Sequence, residues 1–483
     1  MNGVEPSPLQ SMPCSTVADL NDAFDRQRQA FRRDGIPPLP QRRADLAKLA
    51  RAIRRDAERI ARVITADFGN RAAGETLLAE VLTTLISIRH TSRHLARWMR
   101  SRRVPVGLEL MPARARIICQ PLGVVGIISP WNYPFSLAIA PLIAALAAGN
   151  RVIVKPSELT PRTSAFLAEF LGGLFPAEQV AVVQGGPQTG AEFARLPFDH
   201  LFYTGSTAVG REVMKAAAEN LTPLTLELGG KSPCIIAEDA DLPRAVGRIV
   251  FGKLLNAGQT CIAPDYVFIP EAARDRFVAC ARRAVRRLYP SVADNPDYTS
   301  IVSERHYRRL LAHVEEARAS GAAVIELSPD PPPSAPGTRK IAPVLVLDPD
   351  DGLAIMREEI FGPVLPVKTY RRIEEAIDYV NNRPPPLALY YFGADAVRRD
   401  AVLQRTRSGG VTVNDTLLQF ACESLPFGGV GASGLGAYHG EAGFLTFSHR
   451  RSVFLQSRIS GTSLLKPPFG WRFAMMIKIM LAR

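Results

Sequence analysis

The sequence predicts an α/β fold of two tandem Rossmann-like units with parallel-rich sheets, plus a small β oligomerisation ribbon. Three observations lead there. After Pro105 short β-rich runs alternate with helical stretches, a second alternating series begins after Glu227, and residues 104–118 between the opening helices and the first series carry alternating apolar positions. Strands that alternate with helices pack as a parallel sheet covered on both faces. A chain of 483 residues has room for roughly two or three such domains.

In order along the chain, residues 1–20 hold Pro6, Pro8 and Pro13 with few periodic apolar positions, and read as a loose arm. Apolar residues three or four apart, as in Leu46, Leu49, Ile53, Ile60 and Ile64, then predict helices up to Arg103, interrupted at Pro37, Pro38 and Pro40. Residues 104–118, with Val106, Leu108, Leu110 and the edge-breaking Pro112, predict an exposed ribbon. Strands are expected at 123–128, 151–154, 181–183 and 200–203, with a helix over 163–174. The second series places strands at 233–236, 265–269 and 323–327 around a helix over 272–288, and the prolines of 329–333 form a surface loop.

Composition excludes several function classes. The net charge of +13 points at first to nucleic acid, but Asp25, Asp34, Asp45, Asp56 and Glu58 interleave the basic positions, and no nucleic-acid-binding module surrounds the densest cluster, 97–103. The six cysteines show no Cys-x-x-Cys and no Cys/His ligand spacing, so neither a disulfide framework nor a metal site is expected, as suits a reducing cytoplasm. The start lacks a secretory pattern, and the most apolar stretch, 137–148, is too short to span a bilayer and contains Pro141. The basic, amphipathic end, 471–481, either touches a membrane surface weakly or closes as a helix on its own domain or a partner subunit.

The chemistry concentrates in a few motifs. Cys261 stands among small residues in Asn256-Ala257-Gly258-Gln259-Thr260-Cys261, and Glu227 opens Glu227-Leu228-Gly229-Gly230-Lys231. They read as a nucleophilic thiol, for which a polarised site should lower the ordinary pKa of ~8.5, and as the carboxylate that handles protons and water. Tyr203-Thr204-Gly205-Ser206-Thr207-Ala208-Val209-Gly210 follows an apolar strand and opens a helix, where backbone N–H groups can meet a pyrophosphate. Lys155-Pro156-Ser157-Glu158 also stands at a strand end, Pro130-Trp131-Asn132-Tyr133 follows another, and Glu359-Ile360-Phe361-Gly362 marks a turn.

Together these motifs resemble the aldehyde dehydrogenase superfamily. The similarity runs from about residue 20 to the end, and the closing block around 425–434, 436–440 and 446–450 is similar to the class 3 branch. Within that branch, 295–299, 386–391 and 467–470 resemble the bacterial coniferyl aldehyde dehydrogenases. The resemblance implies NAD(P)-dependent oxidation of an aldehyde to a carboxylic acid through a Cys261 thioester, with coniferaldehyde to ferulate as the specific reaction. It assigns the oxyanion to Asn132 with the backbone N–H of Cys261, and deacylation to Glu227. It gives the cofactor to Lys155, Glu158, Gly205, Ser206, Thr207, Ala208, Val209, Gly210, Glu359, Phe361 and Trp131. The Glu158 carboxylate favours NAD by charge repulsion, with NADP also accepted in similar enzymes. The implied domains are a cofactor-binding one (21–103 and 119–226), a catalytic one (227–415), bridging and oligomerisation segments (104–118 and 416–460) and a tail (461–483). Tyr133 and Phe420 are candidate walls of the substrate pocket. A C₂ homodimer is expected, with the ribbon against the partner. Two other readings are an oxidase of medium- or long-chain aliphatic aldehydes and a non-catalytic scaffold on the same fold.

Overall fold

The computed structural model describes residues 14–328, 338–458, 462 and 465–482. The predicted arm lies outside them up to residue 13, but its remainder is not loose. The Ser15 N–H donates to the Gln184 carbonyl at 2.8 Å, and Thr16 and Asp19 form a capping box that starts the helix Val17–Asp34. Leu20 and Phe24 of that helix are buried, so the chain is fixed earlier than its prolines suggest.

Proline at the first positions starts the next helix, Leu39–Arg55, and Ala57–Phe68 follows. Residues 73–98 then run on as Ala73–Thr76, a π-helical stretch Leu77–Leu82, and Thr83–Trp98. π-Helical turns recur at functional sites, and this one borders the cavity described below.

The first sheet has six strands in the order Gly434–Leu435, Leu224–Leu228, His200–Gly205, Val124–Ile128, Arg151–Lys155 and Val180–Val182. All pairs are parallel except the edge strand Gly434–Leu435, which runs against Leu224–Leu228 and comes from the segment expected to serve only as a bridge. The second sheet has seven strands in the order Ala323–Glu326, Val344–Leu347, Val364–Tyr370, Tyr266–Pro270, Pro233–Ile236, Ala388–Phe392 and Gly410–Val413. Here Ala323–Glu326, expected in the parallel series, is an antiparallel edge strand, a pairing that needs no crossover helix. Four strands between 344 and 413 were not among those the sequence predicted: Val344–Leu347, Val364–Tyr370 and Ala388–Phe392 are mostly buried, and Gly410–Val413 is half-buried.

The helix Ser136–Ala148 accounts for the most apolar stretch. Nearly all of it is buried, so it is a core helix that needs no polar face. Among the described residues no helix is long and apolar enough to cross a membrane.

The third sheet is antiparallel: Arg102–Val104, Arg114–Pro121 and Ser448–Leu455. The alternating Val106, Leu108 and Leu110 are not strand residues. They lie in the connection, where Leu108–Leu110 is a 3₁₀ turn and Leu108 is 71% exposed. The long partner of the ribbon is Ser448–Leu455, paired with Arg114–Pro121 along its whole length. The tail forms the helix Trp471–Leu481, which buries no residue, so it does not close on its own domain. Phe473, Met476 and Ile477, at three- and four-residue spacing, are half-buried, and the other positions of the helix are exposed.

Candidate active site

The helix Leu242–Leu254 ends in a tight turn where Asn256, Ala257 and Gly258 take φ values of 54°, 51° and 77°. Left-handed backbone at non-glycine residues costs energy, and a hydrogen-bond network holds it. Asn256 Nδ2 donates to the Asn132 carbonyl at 3.0 Å, and the Asn256 N–H donates to Glu75 at 3.1 Å. Gln259 donates to the Asn256 and Ser300 carbonyls at 3.0 and 3.1 Å and accepts from the Val302 N–H at 2.9 Å. A Cβ on Gly258 would collide with the Gly362 carbonyl, so only glycine fits. This turn presents Cys261.

Asn132 follows the strand Val124–Ile128 and is buried, its side-chain amide donating to the Gln259 carbonyl at 3.2 Å. Its carbonyl accepts from Arg71 at 2.8 Å, and Arg71 pairs with Glu80 at 3.1 Å, both side chains without access to water. Glu80 accepts the Phe135 and Ser136 N–H groups at 2.8 and 3.0 Å. Next in the loop, the Tyr133 hydroxyl bonds Thr260 Oγ1 at 2.7 Å. Asn132 and Cys261 are thereby brought together from loops remote in sequence.

Two carboxylates face the thiol. Glu227 stands next to last in the strand Leu224–Leu228, is 3% exposed, and neither of its oxygens has a hydrogen-bond partner. Burial lifts its pKa well above the ordinary carboxylate range, which suits a group that takes a proton near neutrality. Glu359 is pushed up to about 8 by burial and by the Asp265 charge, against the Gly230 N–H it accepts. Burial together with Glu359 and Glu227 pushes the Cys261 thiol up to about 12, opposed by the backbone N–H groups of Cys261 and Ile262. The expectation of a lowered thiol pKa is therefore corrected: a dry site with two acids outweighs two amide dipoles.

A clamp that sequence reasoning missed fixes Glu359. Lys231 pairs with Asp265 and donates to the Ile355 and Glu358 carbonyls at 2.7 and 2.9 Å. Asp265 accepts the Ile360 N–H at 3.0 Å, and Arg309 donates to the Glu359 and Ile360 carbonyls at 3.3 and 2.6 Å. Lys231 ends the Glu227 motif and Asp265 opens the strand expected at 265–269, but only their contact shows what they do. Phe361, with φ 52°, sets its ring edge-on to Trp131 at 5.3 Å, and Trp131 also meets His306 at 5.1 Å.

The elements expected to hold a dinucleotide fit one. Ser206 caps the helix Thr207–Ala218, and a Cβ on Gly210 would come within 2.7 Å of Leu228, so glycine lets this helix lie close to the strand. Thr207 donates to the Ala432 carbonyl at 3.1 Å. Val209 is half exposed, Ala208 follows Thr207 in the first turn, and Gly205 ends the strand His200–Gly205. A groove of about 670 Å³ includes Thr207, Ala208, Gly229, Gly230 and Glu359 in its walls, joining the helix start to the clamped acid. Lys155 is buried at the end of the strand Arg151–Lys155 with its ammonium 3.3 Å from Glu158.

On its other side Cys261 opens into a cavity of about 230 Å³. Tyr133 and Phe420 are among its walls, with Leu78, Leu82, Ile86 and Leu137. Such a lining selects an apolar substrate and leaves orientation to the few polar groups near the thiol.

Comparison with known proteins gives the family. Residues 1–453 match the aldehyde dehydrogenase family. The chain is 49% identical to the probable coniferyl aldehyde dehydrogenase of Caulobacter vibrioides over 94% of this chain and 95% of that one. It is 46% identical to the coniferyl aldehyde dehydrogenase of Pseudomonas sp. over 96% of each, and 42% identical to aldehyde dehydrogenase family 3 member A2 of Macaca fascicularis over 92% and 90%. Among solved structures, the substrate-bound AldH of Staphylococcus aureus superposes with a TM-score of 0.90 at 37% identity, covering 95% of this chain and 99% of that one. An aldehyde dehydrogenase of Mycobacterium tuberculosis in complex with NAD+ superposes at 0.84 with 30% identity, over 93% and 92%. The NADP-dependent glyceraldehyde-3-phosphate dehydrogenase of Bacillus halodurans, in complex with NADP, also reaches 0.84, at 27% identity over 92% of each.

The field at the thiol yields a pH prediction. In the cofactor-free protein, Glu359→Gln removes a negative neighbour, so the Cys261 thiol pKa falls while burial keeps it above ~8.5. Alkylation by iodoacetamide at one fixed pH above about 8, where Glu359 carries its charge, and below the thiol pKa should therefore quicken several-fold, up to about tenfold for a fall of one pH unit. An unchanged rate, or a profile moved to higher pH, would contradict this account of the site.

Proposed function

The chain belongs to the aldehyde dehydrogenase family and is an NAD(P)-dependent aldehyde dehydrogenase, and from that premise we propose that it oxidises coniferaldehyde to ferulate through a thioester on Cys261. One observation carries the reading: a single thiol lies within electrostatic reach of both Glu227 and Glu359 and also lines the apolar cavity. The thiolate adds to the aldehyde carbon, forming a C–S bond, and the carbonyl oxygen becomes an oxyanion that accepts from the Asn132 amide and the Cys261 N–H. One such donor is worth ~3–4 kcal/mol of barrier. When bound, the nicotinamide supplies the acceptor for the hydride that leaves the thiohemiacetal carbon. Glu227 then takes a proton from water as the water oxygen attacks the thioester, the C–S bond breaks, and acid and thiolate are released.

The cofactor is assigned to Lys155 and Glu158, to the turn Gly205, Ser206, Thr207, Ala208, Val209 and Gly210, and to Glu359 with Phe361 and Trp131. Support comes from the groove that joins the helix start to Glu359 and from the NAD and NADP complexes of similar structures. The two parallel-rich sheets support the division into a cofactor-binding unit (21–103 and 119–226) and a catalytic unit (227–415).

Coniferaldehyde is favoured by the names of the relatives and by the aromatic walls Tyr133 and Phe420. The aliphatic walls favour a second reading, medium- or long-chain aliphatic aldehydes. The six free thiols accord with a cytoplasmic setting, for which cell fractionation is the direct check. The tail helix is assigned a weak contact with a membrane surface, supported by Trp471 and Leu481, 69% and 82% exposed.

Purified enzyme should turn over coniferaldehyde with a higher kcat/KM than decanal, and the reverse order would establish the aliphatic reading instead. Cys261→Ala should lose turnover by at least about 10³-fold while still binding NAD, and Glu227→Gln should give a burst of NADH followed by slow turnover. Residual oxidation in the first variant, or loss of the burst in the second, would overturn the assigned roles.

Cofactor preference rests on the Glu158 charge beside Lys155. Glu158→Gln should raise the NADP/NAD ratio of kcat/KM by about tenfold, the scale of one removed repulsion at moderate dielectric. An unchanged ratio would show that this carboxylate does not face the 2′ position.

The ribbon Arg102–Val104 with Arg114–Pro121 leaves Arg102–Val104 as an edge strand, and such edges are covered by pairing. We assign it to a C₂ homodimer, each ribbon lying against the partner's catalytic unit. Light scattering should read twice the 52.7 kDa chain mass, and a fully active monomer would refute it.

A further inference from the structure

On the outside of the substrate cavity, the helix 73–98 carries a single exposed stripe. Leu78, Leu82, Ile86, Arg89 and Arg93 follow one another at three- and four-residue steps, and all five are exposed. Leu78, Leu82 and Ile86 are 49%, 46% and 40% exposed, although they also line the cavity that ends at Cys261. Leu418, another residue of the cavity wall, is 55% exposed.

On the far side of the stripe lies a second, shallow groove of about 270 Å³ between the helices Leu39–Arg55 and Thr83–Trp98. Its floor is Ala47, Ala50, Leu85 and Ile88, and Arg51, Arg54 and Arg89 stand around it. Arg43 is drawn in as well, donating to the Ser92 carbonyl at 3.2 Å. The charges are not balanced locally. Thr83–Trp98 contains no acidic residue, and the only carboxylate of Leu39–Arg55, Asp45, is buried and committed to Lys48, Gln41 and Gln179. Arg33, Arg55 and Arg59 nearby in sequence all carry carboxylate partners, whereas Arg51, Arg54, Arg89 and Arg93 pair with none among the described residues.

We propose that this face, the leucine–isoleucine stripe together with the unpaired arginines, docks on the headgroups of an anionic phospholipid bilayer, with the mouth of the substrate cavity turned to the lipid. The choice of partner follows from having both features on one face. A small soluble anion would occupy the groove and leave the apolar stripe in water. A nucleic acid would meet the arginines but find no aromatic side chain on the stripe to stack against. A headgroup layer takes guanidinium groups and, just beneath them, branched apolar side chains. Docking places the cavity where apolar aldehydes partition, so such substrates enter without crossing water. That consequence rests on the aldehyde-oxidation reading; the docking itself does not.

The test uses the full chain and sedimentation with vesicles of phosphatidylcholine alone or with phosphatidylserine. The wild type should bind the phosphatidylserine vesicles, bind phosphatidylcholine weakly, and release as salt is raised. The quadruple variant Arg51→Gln, Arg54→Gln, Arg89→Gln, Arg93→Gln, all at exposed positions, should partition at least about tenfold more weakly. Its kcat/KM for a water-soluble aldehyde should stay at the wild-type value, while the stimulation of decanal oxidation by phosphatidylserine vesicles should be lost. A wild type that ignores phosphatidylserine overturns the proposal. So does a quadruple variant that binds as well as the wild type, which would give the contact to the tail helix. Binding is read without turnover, so an inactive chain that still sediments refutes aldehyde oxidation and not the docking.

Discussion

An ion pair sealed from water, Arg71 with Glu80, is the contact from which the candidate site is hung. Arg71 donates to the carbonyl of Asn132, the same carbonyl that Asn256 holds from the cysteine loop, while Glu80 receives the first N–H groups of the central core helix. One pair thus fixes the oxyanion loop, the nucleophile turn and the buried helix between them. Desolvating both charges is expensive, and part of the compensation comes from ring faces: the guanidinium lies 4.7 Å from the Tyr133 ring and 5.1 Å from that of Phe68. Breaking such a pair strands a buried charge, on the order of 3–5 kcal/mol, far more than a surface bridge is worth.

Around that anchor the protein gathers acidic groups whose burial favours their protonated forms. Glu227 is left without a partner and Glu359 is held by the Lys231–Asp265–Arg309 clamp through its backbone, so neither carboxylate is neutralised directly. The result is a thiol and two acids whose protonation states are coupled in one dry region. A carboxyl with a raised pKa is a better proton acceptor, and a thiol with a raised pKa is less reactive until its surroundings change. The same burial therefore restrains the nucleophile and prepares the base.

The two openings at this centre divide the work by polarity. The groove between the helix start at Thr207 and Glu359 offers backbone amides, glycines and a fixed acid, whereas the cavity beyond Cys261 offers almost only carbon. The π-helical stretch Leu77–Leu82 lies on the second side, turning leucines both into the cavity and out to its rim. Substrate selection and surface character are therefore coupled through one helix.

The sequence by itself determined the fold class and the alternating strands of the first unit, and its motifs, through their resemblance to the aldehyde dehydrogenases, named Cys261, Glu227, Asn132, Lys155 and Glu359 as candidate site residues. Those are local properties: apolar runs between helical patterns, and motifs whose chemistry is carried by a few adjacent residues. Tertiary structure alone decided the rest. The thiol pKa rose instead of falling, because burial and the approach of Glu359 and Glu227 depend on which loops meet. Arg71 and Glu80 gave no signal in the sequence, since what gives the pair its role is contact with the backbone of the distant 132–136 loop; Gln259 stands in the cysteine motif, but its bonds to Ser300 and Val302 do not show there. The edge strands Ala323–Glu326 and Gly434–Leu435 reversed direction for the same reason: residue patterning sets which faces are apolar, but strand direction is set by where the chain returns.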